Sequence, residues 1–439
     1  MSTLPNTRQA ALETLFRCRK DGAWTSAVLD EMTGRYGFDR RDAAFTTCLV
    51  LSVLENTNYC DFYIDSFCRA KLEPKVRDIL RLGTAQLLIL DRIPVRAAVN
   101  ETVSLCKQNG CTRASGLVNA VLRRIADNRE SLPEIPGKGS AEYLSVRYSH
   151  PLWLAEELVS RKGYAFTEAF FAENNKAALL SLQINTCKVS ADDYTRALIR
   201  SGIAFHSPES PAGCLLLEGG VVQDLPGFEE GLFYIQDRAA RLSVDFVLPE
   251  PGMRVLDACA CPGGKSFAAA IHMKNRGSIL SCDIHEKKLS LLRAGADRLG
   301  IDIIQTRQMD AREFDPDLKD RFDLVIADVP CSGTGVIRKR PEIRCKEHDS
   351  IKNLPIIQSA ILENVSHYVA PGGLLLYSTC SILREENEEI VSAFLSHHAD
   401  FQTEAIQTSS WHITDGMYTF WPHTDSSDGF FAAVLRKKQ

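Results

Sequence analysis

The sequence lacks the features that would place the chain in a membrane, outside the cell or around a metal ion. Among its 439 residues no apolar run reaches the roughly 18 residues of a membrane helix, and its start, MSTLPNTRQAALETLF, has no apolar signal core. Its 14 cysteines include no C-x-x-C pair and no Cys/His cluster at zinc spacing. We therefore expect a cytoplasmic protein without membrane or metal partners, in which most cysteines are small buried hydrophobic residues.

A strong net charge is also absent, but the charge is unevenly distributed. The whole chain carries a formal net charge of −5. Residues 1–130 hold 19 Lys and Arg against 15 Asp and Glu, a net charge of +4, which leaves −9 for the remainder. The two parts are therefore expected to have different electrostatic roles, and a chain of this length is expected to form two or three domains.

The first 130 residues follow a helical pattern. Apolar residues recur at helical spacing in TRQAALETLFRC, RRDAAFTTCLVLSVLENTNYCDFYIDSF and EPKVRDILRLGTAQLLIL, with Pro74 near a helix start and Pro94 after a helix end. This predicts an all-α bundle. LEPKVRDILRLGTAQLLILDRIPVRAAVNETVSLCK and SGLVNAVLRRI resemble the NusB-like RNA-binding domain. The resemblance implies phosphate contacts by arginines of this bundle, with these candidates: Arg8, Arg77, Arg81, Arg92, Arg96, Arg123 and Arg124.

Two shorter regions come next. SLPEIPGKGS, residues 131–140, is rich in Pro, Gly and Ser without an apolar period and is predicted to be a linker. Residues 141–235 contain short mixed elements, with helices in PLWLAEELVSRKG and ADDYTRALIRSG and strands in LLSLQIN and CLLLEGG. This order predicts a small α+β module.

After Pro251 the pattern changes to that of a doubly wound α/β domain. MRVLDACACPGGKSFAAA predicts an apolar strand, a tight turn with Gly263 and Gly264, and a helix of small residues. The turn matches neither the phosphate loop, which would need Gly in place of Cys259, nor G-x-G-x-x-G. At this point a purely structural turn remains an alternative to a ligand site.

Acidic residues follow the next strands of this domain. Asp283 ends the second strand, where an acid accepts hydrogen bonds from ribose hydroxyls; Asp310 follows the third and Asp328 ends the fourth. One such acid is commonly a helix N-cap, but this set with the glycine turn resembles the Rossmann-like methyltransferases that use S-adenosylmethionine. The resemblance implies a cofactor site formed by Cys259, Ala260, Cys261, Pro262, Gly263, Gly264, Lys265, Asp283, Asp310 and Asp328.

Two strands of the same domain are followed by a cysteine. DVPCSGTGVIRKRPEIR contains Cys331, and YSTCSILREENEEIV contains Cys380. One such cysteine alone is commonly a buried thiol, but the pair resembles the two signatures of the RNA 5-methylcytosine methyltransferases. With its NusB-like start, the whole chain is similar to the bacterial members of the Sun type that act on small-subunit (16S) ribosomal RNA. The chain departs from the family pattern at Gln183, Ala240, Arg241, Cys261 and Ser266.

The resemblance implies a covalent mechanism. Carbon 5 of cytosine is too poor a nucleophile to take a methyl group directly, but a thiolate added to carbon 6 turns carbon 5 into an enamine-type carbon. In this family the thiol of the T-C motif attacks, which here is Cys380. The thiol of the P-C motif, here Cys331, serves product release as a general base, and Asp328 contacts the base near ring nitrogen 3.

A basic run, IRKRPEIRCK, follows the first of these cysteines. A solvated surface explains most charge runs, but beside a catalytic turn in an acidic half of the chain we predict a clamp for RNA phosphates. The predicted RNA contacts are Lys265, Arg338, Lys339, Arg340 and Arg344. Because the target base must be unstacked, the expected partner is a single-stranded or loop region of ribosomal RNA, and the chain is expected to be a monomer.

The sequence thus predicts a multidomain chain: a NusB-like all-α domain (1–130), a linker (131–140), a small α+β RNA-binding module (141–235) and a Rossmann-like methyltransferase domain (236–439). The last domain should have a seven-stranded, mostly parallel sheet with FFAAVLRKK as an antiparallel strand. A transfer RNA substrate and a non-enzymatic RNA-binding or antitermination factor remain alternatives. A methyltransferase for protein or exocyclic amines usually carries N/D-P-P-Y/F where this chain has Asp328-Val-Pro-Cys331.

Overall fold

A computed structural model describes residues 7–408 and 410–439, which form two compact units. The first unit extends to Lys176 and also includes Ile337–His348, and the second consists of Ala177–Val336 and Asp349–Gln439. The domain boundaries predicted at 130, 140 and 235 stay predictions, since the compact units divide the chain elsewhere. In the described part of the chain, no helix is long and apolar enough to cross a membrane.

The first unit is helical, and the all-α fold predicted for residues 1–130 is confirmed for the described part of that segment. Its helices are α1 (Thr7–Asp21), α2 (Thr25–Tyr36), α3 (Arg40–Glu55), α4 (Thr57–Phe67), α5 (Pro74–Leu88), α6 (Val95–Gln108), α7 (Ser115–Asp127), α8 (Ala141–Arg147), α9 (Leu152–Lys162) and α10 (Tyr164–Asn174). Apolar side chains of α1 to α7 share one buried core. Pro74 occupies the first position of α5 and Pro94 directly precedes α6, because proline needs no backbone hydrogen bond at a helix start.

Arg344 fixes the segment Ile337–His348 within this first unit. Its Nη1 donates to the backbone carbonyls of Glu55 and Tyr148, both at 2.9 Å, and of Ser149 at 3.2 Å, while Nη2 donates to that of Asn174 at 3.2 Å. Glu55 and Asn174 end α3 and α10, and Tyr148 follows α8. One guanidinium therefore satisfies carbonyls at three helix C-termini, where the helix dipoles also favour positive charge.

This geometry conflicts with the prediction that Arg344 contacts RNA. The residue is only 7% exposed, and burial lowers the pKa of its guanidinium to about 10. Its neighbour Arg340 is exposed and lies over the ring of Trp24, with 4.9 Å from Cζ to the ring centroid. The charge run therefore combines a structural cation with cations at the surface, a difference that charge counting alone does not reveal.

Within its described residues, the second unit contains three sheets and their helices. Its elements are β1 (Leu180–Ile184), α11 (Ala191–Arg200), β2 (Cys214–Leu217), β3 (Phe233–Ile235), α12 (Arg238–Asp245), β4 (Arg254–Asp257), α13 (Gly264–His272), β5 (Ser278–Asp283), α14 (Glu286–Leu299), β6 (Ile304–Gln308), β7 (Phe322–Asp328), α15 (Leu354–Ser366), β8 (Val369–Thr379), α16 (Glu388–His397), β9 (Phe401–Thr403), β10 (Ile406–Gln407), β11 (His412–Ile413), β12 (Met417–Phe420), α17 (Pro422–Asp425) and β13 (Phe430–Lys437). A small antiparallel sheet has the order β2-β1-β3, and β10 pairs with β11.

The large sheet determines where the polar strand ends meet. Within the described residues its order is β12-β13-β8-β7-β4-β5-β6, and β9 adds an eighth strand beside β13. Strands β4 to β8 pair in parallel, whereas β13 is antiparallel to β8 and β12, as predicted for the last strand. The mostly parallel sheet is confirmed, and the carboxyl ends of its central strands lie along one edge.

Replacement of Arg344 by methionine should destabilise the protein by about 2–4 kcal/mol, because four carbonyls would lose a charged donor. Arg340→Met is the matched control in the same segment, with an expected loss below about 1 kcal/mol for one exposed cation–ring contact. Urea unfolding followed by circular dichroism measures both. Equal losses would contradict the structural role of Arg344.

Candidate active site

The two predicted cysteines lie side by side. Strands β7 and β8 pair in parallel with Asp328 opposite Ser378, so the loops that follow them leave the sheet together. The Sγ atoms of Cys331 and Cys380 are 3.2 Å apart, and both thiols are free and half-buried. The backbone NH of Gly335 donates to the carbonyl of Cys380 at 2.9 Å, which ties one loop to the other.

The environment of these thiols makes them unequal. The hydrogen bond with Cys380, burial, and the nearby charges of Cys380 and Glu386 raise the pKa of Cys331 well above its ordinary value. A thiol with a raised pKa keeps its proton and can donate it to the neighbouring sulfur. These surroundings therefore favour the protonated form of Cys331.

Asp328 is held beside the thiols by two donors. The hydroxyl of Ser378 donates to its Oδ1 at 2.8 Å, and the ammonium of Lys265 lies 2.6 Å from its Oδ2. The Lys265 side chain is 6% exposed and its Nζ lies 4.8 Å from the ring centroid of Phe430. Lys265, predicted to contact both cofactor and RNA, is thus a buried partner of the predicted catalytic carboxylate.

The predicted glycine turn follows β4. The backbone NH of Ala260 donates to the carbonyl of Cys282 at 2.8 Å, and that of Gly263 donates to Ala260 at 2.7 Å. Gly263 has a φ of 116°, and a Cβ there would lie 2.6 Å from the Phe267 ring, so a larger residue would clash. Glycine at this position lets α13 begin close to the strand edge.

Apart from Gly263, the predicted cofactor residues line two cavities that share Cys259. One is lined by Ala260, Cys261, Pro262, Gly264, Lys265 and Asp328, together with Gln236 and Asp257. The other is lined by Asp283, Asp310, Lys288, Arg312, Met309, Pro330 and Ile357. Asp283, at the end of β5, and Asp310, after β6, therefore line the same cavity at the carboxyl edge of the sheet.

The two acids of this second cavity differ in their partners. Asp283 accepts a hydrogen bond from the backbone NH of His285 at 2.8 Å. Asp310 accepts from Nε of Arg312 at 2.9 Å, and this hydrogen bond lowers the pKa of Asp310. Asp283, predicted to be a ribose acceptor, thus binds a backbone NH, while Asp310 is paired with an arginine.

The remaining predicted RNA contacts, Arg338 to Arg340, belong to the first unit with Arg344, whereas Lys265 belongs to the second. In the N-terminal bundle, some candidate arginines are engaged within the fold. Arg77 and Arg81 bind Asp61, at 3.3 Å and 2.6 Å respectively. In the described residues, no group of three or more His, Cys, Asp or Glu side chains is placed to hold a metal ion.

Asp257 is a site residue that the sequence analysis missed. It ends β4, is fully buried, and accepts a hydrogen bond from the Ser266 hydroxyl at 2.7 Å, while its Oδ1 has no hydrogen-bond partner. The Ser266 hydroxyl also lies 2.7 Å from that of Ser281. Burial raises the pKa of Asp257 to about 7. The signal that could have revealed it is an acid at the end of an apolar strand, immediately before the glycine turn.

Glu386 and Asn387 were missed for a different reason. They stand in LREENEEI, a charge run typical of a solvated helix, yet they are 1% and 0% exposed. The side-chain partners of Glu386 lie 28 and 54 residues away, and those of Asn387 lie across a turn, as described below. No local pattern in the sequence predicts their burial.

A doubly wound sheet, with a glycine turn after its first strand and acids at the carboxyl edge, defines a Rossmann-like methyltransferase. Residues 245–436 match the family described as 16S rRNA methyltransferase RsmB/F, residues 5–127 match the NusB family, and residues 150–223 match an RsmF/B-like ferredoxin-like domain. The chain belongs to the ribosomal RNA small subunit methyltransferase B family.

Two curated relatives and two solved structures support this assignment. The chain is 32% identical to the probable ribosomal RNA small subunit methyltransferase B of Bacillus subtilis (strain 168), over 98% of each chain. It is also 32% identical to ribosomal RNA small subunit methyltransferase B of Klebsiella pneumoniae (strain 342), over 99% of each. The crystal structure of PH0851 aligns over 100% of both chains, with 27% identity and a TM-score of 0.82. A methyltransferase homolog from Pyrococcus horikoshii aligns over 67% of this chain and 97% of its own, with 26% identity and a TM-score of 0.58.

The raised pKa of Asp257 predicts a pH-dependent stability. Its folded-state pKa of about 7 exceeds the unfolded value of about 3.9. The stabilising contribution is therefore fully present below about pH 4 and is lost as the pH rises through 7. Asp257→Asn stays neutral, so its stability relative to the wild type should improve between pH 5 and pH 8.

Urea unfolding of both proteins across this range measures the difference. Asp323→Asn is the matched control, because the hydrogen bond from Arg254 lowers the pKa of Asp323. Its difference from the wild type should stay constant over the same range. A constant difference for Asp257→Asn as well would contradict the pKa assigned to Asp257.

Proposed function

We propose that this protein transfers a methyl group from S-adenosylmethionine to carbon 5 of a cytosine in small-subunit (16S) ribosomal RNA, through a covalent cysteine–cytosine adduct. The observation that carries the proposal is the pair of free thiols, 3.2 Å apart, beside Asp328 at the carboxyl edge of the sheet. The ribosomal substrate is supported by the names of full-length relatives.

Cys380 is the nucleophile in this proposal. Its thiolate is the attacking group, and the Cys331 thiol, whose protonated form its surroundings favour, lies 3.2 Å away, where it can donate a hydrogen bond to that sulfur. The Cys380 sulfur adds to carbon 6 and displaces the ring electrons towards nitrogen 3. The Lys265–Asp328 pair lies at this site and provides the hydrogen-bonding group and positive charge that this nitrogen needs.

The residues of the second cavity fit S-adenosylmethionine. Asp283 would accept hydrogen bonds from the ribose, and the glycine turn, whose Gly264 lines the first cavity, would allow close approach of the backbone. When bound, S-adenosylmethionine supplies the methyl group that carbon 5 receives. Asp310 would lie towards the adenine, at the same cavity wall.

Cys331 completes the reaction. After methyl transfer, carbon 5 still holds its hydrogen, and the bond between carbon 6 and the Cys380 sulfur must break. Alkylation of Cys380 removes a negative sulfur that raises the pKa of Cys331, so this thiol can then lose its proton to solvent water. The resulting thiolate takes the proton from carbon 5, the ring double bond forms again, and Cys380 leaves as a thiolate.

Cofactor affinity tests the cavity. Asp283→Ala should weaken S-adenosylmethionine binding by about 1–3 kcal/mol, because a charged acceptor for ribose hydroxyls is removed. Asp297→Ala is the control, as it removes an exposed acid from α14 that does not line the cavity. Isothermal titration calorimetry measures both. Equal affinity in Asp283→Ala and the wild type would place the ribose elsewhere.

Covalent trapping separates the two thiols. Cys380→Ala cannot form the carbon 6 adduct and should be inactive, without RNA attached to the protein. In Cys331→Ala, Cys380 should still attack carbon 6 and methyl transfer should follow, but the carbon 5 proton should not be removed. The covalent protein–RNA complex should then survive denaturing electrophoresis. The double variant Cys331→Ala/Cys380→Ala should give no complex, and Cys187→Ala, which removes an exposed thiol, should behave as the wild type. A complex with Cys380→Ala in place of Cys331→Ala would reverse the two roles.

Bisulfite sequencing of ribosomal and transfer RNA, from cells with and without this gene, tests the substrate. We expect one or more 5-methylcytosines of small-subunit ribosomal RNA to depend on the gene. A dependent cytosine confined to transfer RNA would overturn the ribosomal assignment while leaving the chemistry intact.

A further inference from the structure

Glu386 is a buried carboxylate attached to the loop that carries Cys331. Its Oε1 accepts hydrogen bonds from the backbone NH of Ser332 at 2.8 Å and from Nε2 of Gln358 at 2.9 Å, and its Oε2 accepts from the Ser332 hydroxyl at 2.5 Å. Gln358 also donates to the carbonyl of Pro330 at 2.9 Å. Both sides of Cys331 are therefore held, one directly and one through Gln358.

Asn387, the next residue, is attached to the loop that carries Cys380. Its Oδ1 accepts a hydrogen bond from the Thr379 hydroxyl at 2.6 Å, and its Nδ2 donates to the carbonyl of Ser381 at 3.0 Å. Thr379 and Ser381 are the two neighbours of Cys380 in the chain. The adjacent side chains of Glu386 and Asn387 thus form hydrogen bonds with different loops, Glu386 with the loop of Cys331 and Asn387 with the loop of Cys380.

The burial of Glu386 needs an explanation beyond stability. A carboxylate that is 1% exposed loses its hydration, and apolar replacements of buried charges are often neutral or stabilising. Here the Glu386 carboxylate accepts three hydrogen bonds, two of them from Ser332, the residue after Cys331, and one from Gln358. A fixed backbone at Ser332 is what a thiol needs to stay at a defined distance from its partner.

We infer that Glu386 and Asn387 are positioning residues with separate tasks: Glu386 places the release thiol Cys331, and Asn387 places the nucleophile Cys380. This inference rests on the proposed function. Disturbing Glu386 should slow the loss of the carbon 5 proton and let the covalent intermediate accumulate. Disturbing Asn387 should slow the attack on carbon 6, so that little intermediate forms.

Two conservative variants test this division. In Glu386→Gln an amide donor faces the donors on Ser332 or Gln358, and in Asn387→Asp a carboxylate oxygen faces the Ser381 carbonyl. Each should lower kcat by about 10- to 100-fold, with little change in KM for RNA or S-adenosylmethionine. Only Glu386→Gln should accumulate a protein–RNA complex during turnover.

The rate of complex formation in a Cys331→Ala background gives the sharper measurement. Asn387→Asp should slow that rate by about tenfold or more, whereas Glu386→Gln should leave it unchanged, because release is already blocked. Glu389→Gln is the control, since it alters an acid 60% exposed on the same turn and should match its parent in every assay. If Glu386→Gln or Asn387→Asp does not fold, Ser332→Ala and Thr379→Val replace them, because they remove the hydroxyl groups that bind Glu386 and Asn387. Ser332→Ala is expected to have the effect of Glu386→Gln, and Thr379→Val that of Asn387→Asp.

The outcomes are distinct. Equal slowing of complex formation by both variants, or no effect of either, would overturn the division of tasks, because a purely structural role moves both steps together. Absence of any complex with Cys331→Ala itself would overturn the proposed function. If Cys331→Ala forms the complex and Asn387→Asp does not change the rate of its formation, only the inference is overturned.

Discussion

The parallel pairing of β7 with β8 is the constraint on which the site depends. Asp328 lies opposite Ser378, so each residue beyond these strand ends has a counterpart on the neighbouring loop. A shift of the register by one residue would exchange the faces of every side chain on β8. Leu376 packs in one core and Leu375 and Tyr377 in the other, so such a shift would exchange side chains of different shape between the two cores. The register of β7 and β8 thus brings together the two loops whose sulfur atoms lie 3.2 Å apart.

Hydrogen bonds then hold what the register brings together. The hydroxyls of Ser332, Thr334 and Ser381 lie within 3.2 Å of one another, all of them buried. Position 335 requires glycine, because its Cα faces the backbone of Gly429 and a Cβ there would lie 1.9 Å from the Gly429 carbonyl oxygen. The loops around the thiols are thus a packed polar network, in which a satisfied group stiffens the site and an unsatisfied one would cost stability.

Sequence patterns predicted what depends on local order, and missed what depends on distant partners. Apolar runs that stop at Asp283, Asp328 and Thr379 predicted the strands and the edge where polar groups meet, because parallel strands align their carboxyl ends. The role of Arg344 could not be predicted in the same way, since its carbonyl partners are at least 170 residues away in the chain. Glu386 shows the same limit: a charge run typical of a solvated surface contains a buried carboxylate whose partners, Ser332 and Gln358, lie on another loop and on α15.

The two thiols also show how one arrangement can serve successive steps. Two negative sulfurs 3.2 Å apart repel strongly in a half-buried site, so one thiol of the free pair stays protonated. Covalent attachment of Cys380 turns its sulfur into a neutral thioether and removes that repulsion. The nearby charge of Glu386 still raises the pKa of Cys331, which makes the Cys331 thiolate a stronger base for the carbon 5 proton in the proposed mechanism. In the proposed mechanism the state of Cys380 therefore sets when Cys331 can act as a base, and the order of attack and release follows from the charge on one sulfur.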